Sequence, residues 1–163
     1  IAFCQQDLRD LDLGRYFSAA VSLCDSLNYL VDPQDFARAV KNIADHLEPG
    51  GYFLFDVNTP WKLQNFYGDY TYAEHHEGFS YIWENEYDPA QRLVTMHLAF
   101  FVDEGNGLYR RYDEMHSQRA YTHTEIVAVL KEAKLELVDW GNIAGSEPPE
   151  PIEERVFYLT RRR

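Results

Sequence analysis

Three short polar clusters in the chain follow apolar segments, and their side chains could bind a small ligand. They are Gln6-Asp7-Leu8, residues 24–29 and residues 56–60. Ligands of open α/β sheets bind beyond the carboxyl ends of the strands, where carboxylates and amides accept and donate hydrogen bonds. Loops after strands are often polar for solubility alone, but three such clusters at one sheet edge indicate a ligand site.

A later segment carries candidates for acid–base chemistry. Glu114, His116 and Gln118 lie two residues apart, so a strand would present them on one face. His116 could act as a general base or contact a substrate, or it could simply face solvent. Arg119 and Tyr121 share the opposite face, and Arg119 could bind a substrate carboxylate or pair with one of the chain's many acids.

These residues need a sheet to position them, and the sequence predicts a parallel one. The apolar run at residues 19–24 suits a strand that is buried on both faces. A helix follows, with Asp32 as its N-cap and Pro33 at its first position, and Pro49-Gly50-Gly51 is expected to end it. The next strand covers residues 52–57. Strand, helix and strand together form one right-handed crossover unit of an α/β sheet.

The hydrophobic period changes to two in the middle of the chain, which indicates an antiparallel insert. Residues 79–87 alternate aromatic and polar side chains, and residues 93–102 and 109–121 are also predicted strands. Asp88-Pro89 and Gly105-Asn106-Gly107 supply the turns between them. The insert therefore interrupts the α/β pattern rather than following it.

The α/β pattern resumes after the insert. Thr122 and Glu125 have the spacing of a capping box, which predicts a helix. Residues 135–141 and 155–160 are predicted strands, joined by a Pro-rich loop over residues 145–153. Because no helix separates these last two strands, they can pair as a hairpin.

The composition limits the classes of partner. The chain has 163 residues, with 15 Lys and Arg against 27 Asp and Glu, so its formal net charge is −12. An acidic surface repels phosphate backbones and anionic lipids, so neither nucleic acid nor a membrane is an expected partner. Cys4 and Cys24 lack the spacing of metal ligands and are expected as reduced thiols in buried strands of a cytoplasmic protein. The histidines show no ligand spacing either, and no metal site is predicted.

Four segments of the chain resemble the later motifs of class I S-adenosylmethionine-dependent methyltransferases. They read QQDLRDLDL, AAVSLCDSLNYL, HLEPGGYFLFDVNTPWKL and YTHTEIVAVLKEAKLELVDW. The resemblance covers nearly the whole chain and is greatest to the small bacterial enzymes with an antiparallel insert after the fifth strand. It implies an α/β fold in which a Rossmann-like methyltransferase sheet carries an antiparallel β insert.

The resemblance also implies a cofactor site for S-adenosylmethionine. Asp7 matches the aspartate that binds the adenine amino group, and the Leu8 amide matches the group that meets the adenine ring. Asp25 and Asn28 match residues at the methionine end of the cofactor, and Tyr29 matches a residue at the reaction centre, where we expect a catalytic role.

An acceptor site is implied by the insert. The segment MHSQRAYT resembles the histidine-containing strand that lines the acceptor site of small-molecule N-methyltransferases, which makes His116 the candidate catalytic residue. Tyr81 and Trp83 could contact the sulfonium or a cationic substrate, or they could pack the core of the insert. Arg119 and Tyr121 are further expected substrate-binding residues.

Two features of the family have no match in the chain. The Gly-rich turn after the first strand and the acidic residue after the second are absent, and Gly50-Gly51 does not replace the turn because it ends a helix. Residues 1–5 are then expected to be the family's third strand, unpaired or paired with another chain. We therefore expect a truncated product, or part of a protein about 80–90 residues longer.

The pattern divides the chain into three parts and predicts an enzyme. Residues 1–58 form a partial methyltransferase core, residues 59–121 an antiparallel insert or lid, and residues 122–163 the C-terminal part of the core. The predicted function is methyl transfer from S-adenosylmethionine to a small-molecule acceptor. The alternatives are a non-catalytic methyltransferase-like interaction or assembly domain, which could dimerise through an unpaired sheet edge, and a different nucleotide-binding α/β enzyme.

Overall fold

Two four-stranded sheets organise the chain in a computed structural model that describes residues 1–142 and 152–163. The strands and the two α-helices, in chain order, are β1 Phe17–Ser22, α1 Pro33–Asp45, β2 Leu47–Asn58, β3 Thr71–His76, β4 Phe79–Asp88, β5 Leu93–Gly105, β6 Leu108–Arg119, α2 His123–Glu132, β7 Leu135–Gly141 and β8 Arg155–Arg162. Short 3₁₀ turns at Leu8–Asp10 and Ser26–Tyr29 and a π-helical segment at Lys62–Tyr67 connect them.

The first sheet has the strand order β1-β2-β8-β7. β1 and β2 run parallel, as the predicted crossover unit requires, and β8 is antiparallel to both β2 and β7. The predicted hairpin of the last two strands is therefore confirmed. Both α-helices contribute to one core on this sheet, whose largest fully buried members include Leu27, Phe36, Phe53, Phe55, Ile126 and Leu130.

Helix α1 begins where the sequence predicts and ends earlier than predicted. The Asp32 carboxylate accepts a hydrogen bond from the Gln34 amide at 2.8 Å, and Pro33 opens the helix. The helix ends at Asp45, so Pro49-Gly50-Gly51 lies in β2 rather than at the helix terminus. The chain between Leu47 and Tyr52 bulges out of register with β1. A Cβ on Gly51 would lie only 2.9 Å from the Glu48 carbonyl oxygen, so the bulge requires glycine.

Helix α2 has the predicted capping box. The Thr122 hydroxyl accepts from the Glu125 amide at 3.3 Å, while the Glu125 carboxylate accepts from the Thr122 amide at 2.8 Å. The turn after the helix places Lys134 at φ +59°, a left-handed conformation that glycine usually occupies. Most of the predicted 145–153 loop lies in residues 143–151, outside the described residues.

The insert is the second sheet, with all strands antiparallel in the order β3-β4-β5-β6. The three predicted strands are present, and β3 adds a fourth that the hydrophobic pattern did not mark. The outer strand β3 is largely exposed. The buried residues of the insert include Val94 and Met96 of β5, which pack with Leu63 and Tyr67 of the π-helical segment. The π-helical segment thus packs against the insert.

The prediction of a strand over residues 1–5 is wrong. These residues are exposed and form no strand, because a strand needs the backbone hydrogen bonds of a neighbour, and within the described ranges β1 pairs with β2 alone. The chain instead reaches the Leu8–Asp10 turn, which Asn42 of α1 holds through hydrogen bonds to two carbonyl oxygens. Cys4 and Cys24 are exposed thiols and not buried strand residues. Among the described residues, no helix is long and apolar enough to cross a membrane.

Candidate functional site

One arginine joins two aspartates at the carboxyl edge of β1 and β2. The Arg155 guanidinium donates to Asp56 at 2.7 Å and to Asp25 at 2.5 Å. Asp56 is fully buried, and a buried carboxylate is tolerated only when it is paired and hydrogen-bonded. Two carboxylates and one guanidinium leave this cluster with a formal charge of −1, while the Asp25 side chain remains 16% exposed.

The backbone at Asp25 is strained. Cys24 and Asp25 have φ values of +60° and +52°, which non-glycine residues rarely adopt, and such residues cost on the order of 1–3 kcal/mol each. The Asp25 amide donates to the Asp56 carboxylate at 3.2 Å, and the Asp25 side chain is held by Arg155. These contacts maintain a conformation that turns the Asp25 carboxylate toward the insert.

The insert closes on this edge through amide side chains. Gln118 of β6 donates to the second carboxylate oxygen of Asp25 at 2.6 Å and accepts from the Asn58 amide group at 2.9 Å. Asn28 donates to the carbonyl oxygens of Arg119 at 2.9 Å and Asn58 at 3.1 Å. Asn28 is fully buried with both amide hydrogens used, so it supports the site from beneath and does not open onto it.

The two candidate catalytic residues lie together at the outer side of this network. The rings of Tyr29 and His116 meet edge to face with centroids 5.8 Å apart. His116 Nε2 lies 3.1 Å from the Glu114 carboxylate. Both rings are accessible, Tyr29 being 46% exposed, so a ligand held at Asp25 could reach them.

Tyr67 and Lys62 of the π-helical segment belong to the same region, and sequence reasoning missed both. The Tyr67 ring packs against Trp83 with centroids 5.4 Å apart. Burial first, and then the negative charge of Asp25, raise the pKa of Tyr67 to about 12, so its hydroxyl stays protonated at neutral pH. The Lys62 ammonium lies 5.5 Å from the Tyr67 ring centroid and 3.7 Å from Glu154. No sequence signal marks Tyr67, although π-helical segments are frequent at functional sites.

Asp7 and Leu8 lie apart from this cluster. Both Asp7 oxygens accept from the Arg9 side chain, at 2.9 and 2.6 Å, and this hydrogen bonding lowers the pKa of Asp7 to about 2. Arg9 also bonds Asp35 of α1. No hydrogen bond or ion pair among residues 1–142 and 152–163 joins Asp7 to Asp25.

The four expected substrate residues differ in their surroundings. Trp83 packs beside Tyr67 and Tyr72, which fits the alternative that it packs the core of the insert. Tyr81 lies farther along β4, beside Phe100 and His76. Neither contacts the Asp25 cluster directly.

Arg119 and Tyr121 lie beneath the site. Tyr121 is 3% exposed, stacks on Phe36 at 4.1 Å and donates its hydroxyl to the Leu30 carbonyl oxygen. The Arg119 guanidinium lies over the Tyr121 ring at 5.6 Å and 4.0 Å from Glu125, and its Nε is buried without a partner. Among the described residues, no three potential metal ligands cluster.

Comparisons with known proteins bear on the family. No family model matches the chain. The Bacillus subtilis (strain 168) protein named "Putative methyltransferase YqeM" is 33% identical over 163 residues, which are 99% of this chain and 66% of the relative. A Saccharopolyspora spinosa dTDP-4-amino-2,3,4,6-tetradeoxy-D-glucose N,N-dimethyltransferase is 30% identical over 130 residues, 78% of this chain and 51% of the relative.

A solved structure matches the fold closely. The crystal structure of an S-adenosylmethionine-dependent methyltransferase from Clostridium acetobutylicum ATCC 824 superposes with a TM-score of 0.90 at 33% identity, covering 98% of this chain and 63% of that chain. The chain thus spans about two thirds of the length of the B. subtilis relative and of this enzyme, at 66% and 63%. The sheet order, the insert and these similarities agree, and the chain belongs to the class I S-adenosylmethionine-dependent methyltransferases.

Proposed function

We propose that this protein transfers a methyl group from S-adenosylmethionine to a small-molecule acceptor. The observation that carries the proposal is the Asp25 carboxylate, held by Arg155 and Gln118 at the carboxyl edge of the sheet. Ligands of open α/β sheets bind at that edge. Asp25 also lies in the segment that resembles the family's methionine-binding segment.

The donor set at Asp25 fits the cofactor. The cluster of Asp25, Asp56 and Arg155 has a formal charge of −1, which suits one ammonium group. Each Asp25 oxygen already accepts one hydrogen bond, and a carboxylate oxygen can accept a second. Asp25 would therefore hold the cofactor's amino group, with Asn28 fixing the loop. We place the adenine end at Asp7 and Leu8 from the family pattern alone.

In methyl transfer the protein's main role is to position the acceptor and the cofactor. The bound cofactor would supply a methyl group on a sulfonium, which is already a strong electrophile. The side chains must hold the acceptor in line with that methyl group and exclude water. Tyr29 and His116 lie where they can contact the acceptor, and Tyr81, Trp83, Arg119 and Tyr121 would shape its site directly or from beneath.

We further propose an amine as the acceptor, because the S. spinosa relative is named for an amino-sugar substrate. A protonated amine cannot attack the methyl group, so it must first lose a proton. His116, with Glu114 at 3.1 Å, can accept that proton. The formal charge of −12 favours a small acceptor in the cytoplasm over nucleic acid.

A second candidate is an assembly role without catalysis. The outer edge of β1 has no strand partner among the described residues, and an unpaired edge can add a strand from another chain. A second copy paired there would make a homodimer.

Calorimetric titration with S-adenosylhomocysteine separates the two candidates. The enzyme proposal expects one saturable site, and Asp25→Asn should weaken binding about tenfold, because a charge-assisted hydrogen bond is roughly twice as strong as a neutral one. Asp103→Asn, at an exposed position of β5, is the matched control and should bind normally. Absence of binding by a full-length protein that carries the family's Gly-rich turn would exclude the enzyme proposal and leave the assembly role. Absence of binding by residues 1–163 alone would not, because that turn has no match among them.

His116 is tested by the transfer of radiolabelled methyl groups to a panel of small amines. His116→Gln should lower kcat about a hundredfold or more, as expected for the loss of a general base. His97→Gln, on an exposed residue of β5, should leave kcat unchanged.

A further inference from the structure

Gln118 contacts both sides of the site through one buried side chain. It is 2% exposed. Its amide group donates to Asp25 at 2.6 Å, and its carbonyl oxygen accepts from Asn58 at 2.9 Å. An amide side chain can donate to a carboxylate at one atom and accept from an amide at the other, so these two contacts fix the orientation of the Gln118 side chain.

The same strand carries His116. Residues two apart on β6 share a face, so Gln118 lies directly beside His116 on the side toward Asp25. Tyr29, the ring partner of His116, ends the 3₁₀ turn that follows Asp25. The Gln118–Asp25 hydrogen bond therefore joins the two segments that bring Tyr29 and His116 together.

A second hydrogen bond from the loop after β1 holds the backbone of β6. Asn28 donates to the carbonyl oxygen of Arg119, the residue after Gln118. The end of β6 is thus held by one side-chain contact and one main-chain contact, both made to residues of the 25–29 loop. A small shift of β6 would move Gln118 and His116 together relative to Asp25.

We infer that Gln118 is a positioning residue, which orients the Asp25 carboxylate toward the cofactor and sets the distance between His116 and the transferred methyl group. The inference rests on the proposed function. Gln118 itself is too deeply buried to touch the acceptor, and it acts through Asp25 and His116. A misplacement of about 1 Å can cost roughly a hundredfold in rate, so a residue with this role has a measurable effect on kcat.

Gln118→Glu separates positioning from simple packing. The glutamate has the same shape, but as a carboxylate it faces the Asp25 carboxylate at the position of a 2.6 Å contact. Such a pair is tolerated when one member is protonated, because the acid then donates as the amide does. The other charged and titratable groups around Gln118 are unchanged in the variant: Asp56, Arg155, Tyr29, Tyr67, His116 and Glu114.

The test measures S-adenosylhomocysteine binding, kcat and acceptor KM for the protein and three variants between about pH 5.5 and 8.5. Gln118→Glu should lose about tenfold or more in kcat at the alkaline end, with recovery toward acid pH. Gln118→Leu should lose as much at every pH. Gln34→Glu, an exposed matched control, should follow the unmodified protein. Thermal unfolding verifies that each variant is folded, and cofactor binding at acid pH gives a second check for Gln118→Glu.

Two results would overturn the inference while leaving the proposed function intact. One is a Gln118→Glu variant whose kcat stays within about twofold of the unmodified protein at every pH. The other is a loss of kcat that is the same for Glu and Leu and independent of pH, since that marks packing alone. If a full-length protein that carries the family's Gly-rich turn binds no S-adenosylhomocysteine, the proposed function itself fails, and the inference fails with it.

Discussion

Asn28 pairs with the backbone of Asn58 as a neighbouring strand would. Its side-chain oxygen accepts from the Asn58 amide at 2.9 Å, and its side-chain nitrogen donates to the Asn58 carbonyl oxygen at 3.1 Å. Both residues are fully buried. The end of β2 is thus completed by a side chain from the loop after β1, and the same nitrogen also reaches Arg119 of the insert.

Replacing Asn28 should destabilise the fold strongly. Asn28→Ala removes the side-chain partner of the buried Asn58 amide and carbonyl oxygen and of the partly buried Arg119 carbonyl oxygen. Each unsatisfied group costs about 1–3 kcal/mol. We expect the free energy of unfolding to fall by about 3 kcal/mol in urea denaturation. Asn65→Ala, which removes one exposed contact to Trp61, should change it by less than about 1 kcal/mol. Equal effects of the two variants would contradict a structural role for Asn28.

The Arg155 guanidinium should stabilise the fold mainly because it neutralises the Asp56 carboxylate. Arg155→Met leaves a fully buried carboxylate beside Asp25, and breaking a buried pair costs about 3–5 kcal/mol. We expect a loss near the lower figure, since the Arg155 side chain is 32% exposed. Adding Asp56→Asn should restore at least half of the loss. A double variant as unstable as Arg155→Met alone would show that the arginine stabilises the fold in some other way.

Local signals in the sequence were sufficient to predict where the two α-helices begin, but not to predict the site. Asp32 and the Thr122–Glu125 pair act on residues within one turn, so their caps were predicted correctly. Arg155 pairs with Asp25 across 130 residues of sequence, and no local pattern records such a contact. The two-residue period gave the face of Gln118 but not its partner, because the partner depends on how the insert docks.

The wrongly predicted first strand has a related cause. Residues 1–5 have the apolar character of a strand, yet a strand is stable only beside another one. The segment that follows is held by Asn42 and by the Arg9–Asp35 pair on α1. Side-chain contacts of this kind are set by the tertiary structure and leave no periodic signal in the sequence.

His123 should make the fold less stable in acid. It stacks on Trp140 with ring centroids 3.8 Å apart, and burial lowers its pKa below the usual 6.5. The unfolded chain therefore binds a proton more readily than the folded chain, so stability falls as the pH drops below 6.5. Urea denaturation on either side of that pH should show a smaller loss for His123→Phe, which keeps the stack. The exposed control His97→Gln should lose as much free energy of unfolding in acid as the unmodified protein. If His123→Phe loses as much as well, His123 is not the source of the acid sensitivity.

Lys134 should be replaceable by glycine with a gain in stability. A residue with a side chain is destabilised by about 1–2 kcal/mol at the Lys134 φ of +59°. Glycine avoids this strain, but the greater backbone entropy of glycine in the unfolded chain offsets part of the gain. We expect Lys134→Gly to raise the midpoint of thermal unfolding by about 2–3 °C. Lys131→Gly, inside α2, should lower stability by about 1 kcal/mol. Destabilisation by both glycines would mean that the side chain of Lys134 contributes more than its backbone costs.

The Tyr67 hydroxyl should contribute to acceptor binding as a neutral donor. Its ring is fixed against Trp83, and its surroundings, led by burial and then by Asp25, raise its pKa to about 12. Tyr67→Phe keeps the ring packing and removes only the hydroxyl, so we expect kcat/KM to fall about tenfold, as for the loss of one hydrogen bond in a shielded site. The pH profile should keep its shape, because a group that stays protonated contributes no titration.

Tyr109→Phe, at a 52% exposed position of the insert, should behave as the unmodified protein. An unchanged kcat/KM in Tyr67→Phe would remove Tyr67 from the site, and a shifted pH profile would assign it a proton-transfer role instead.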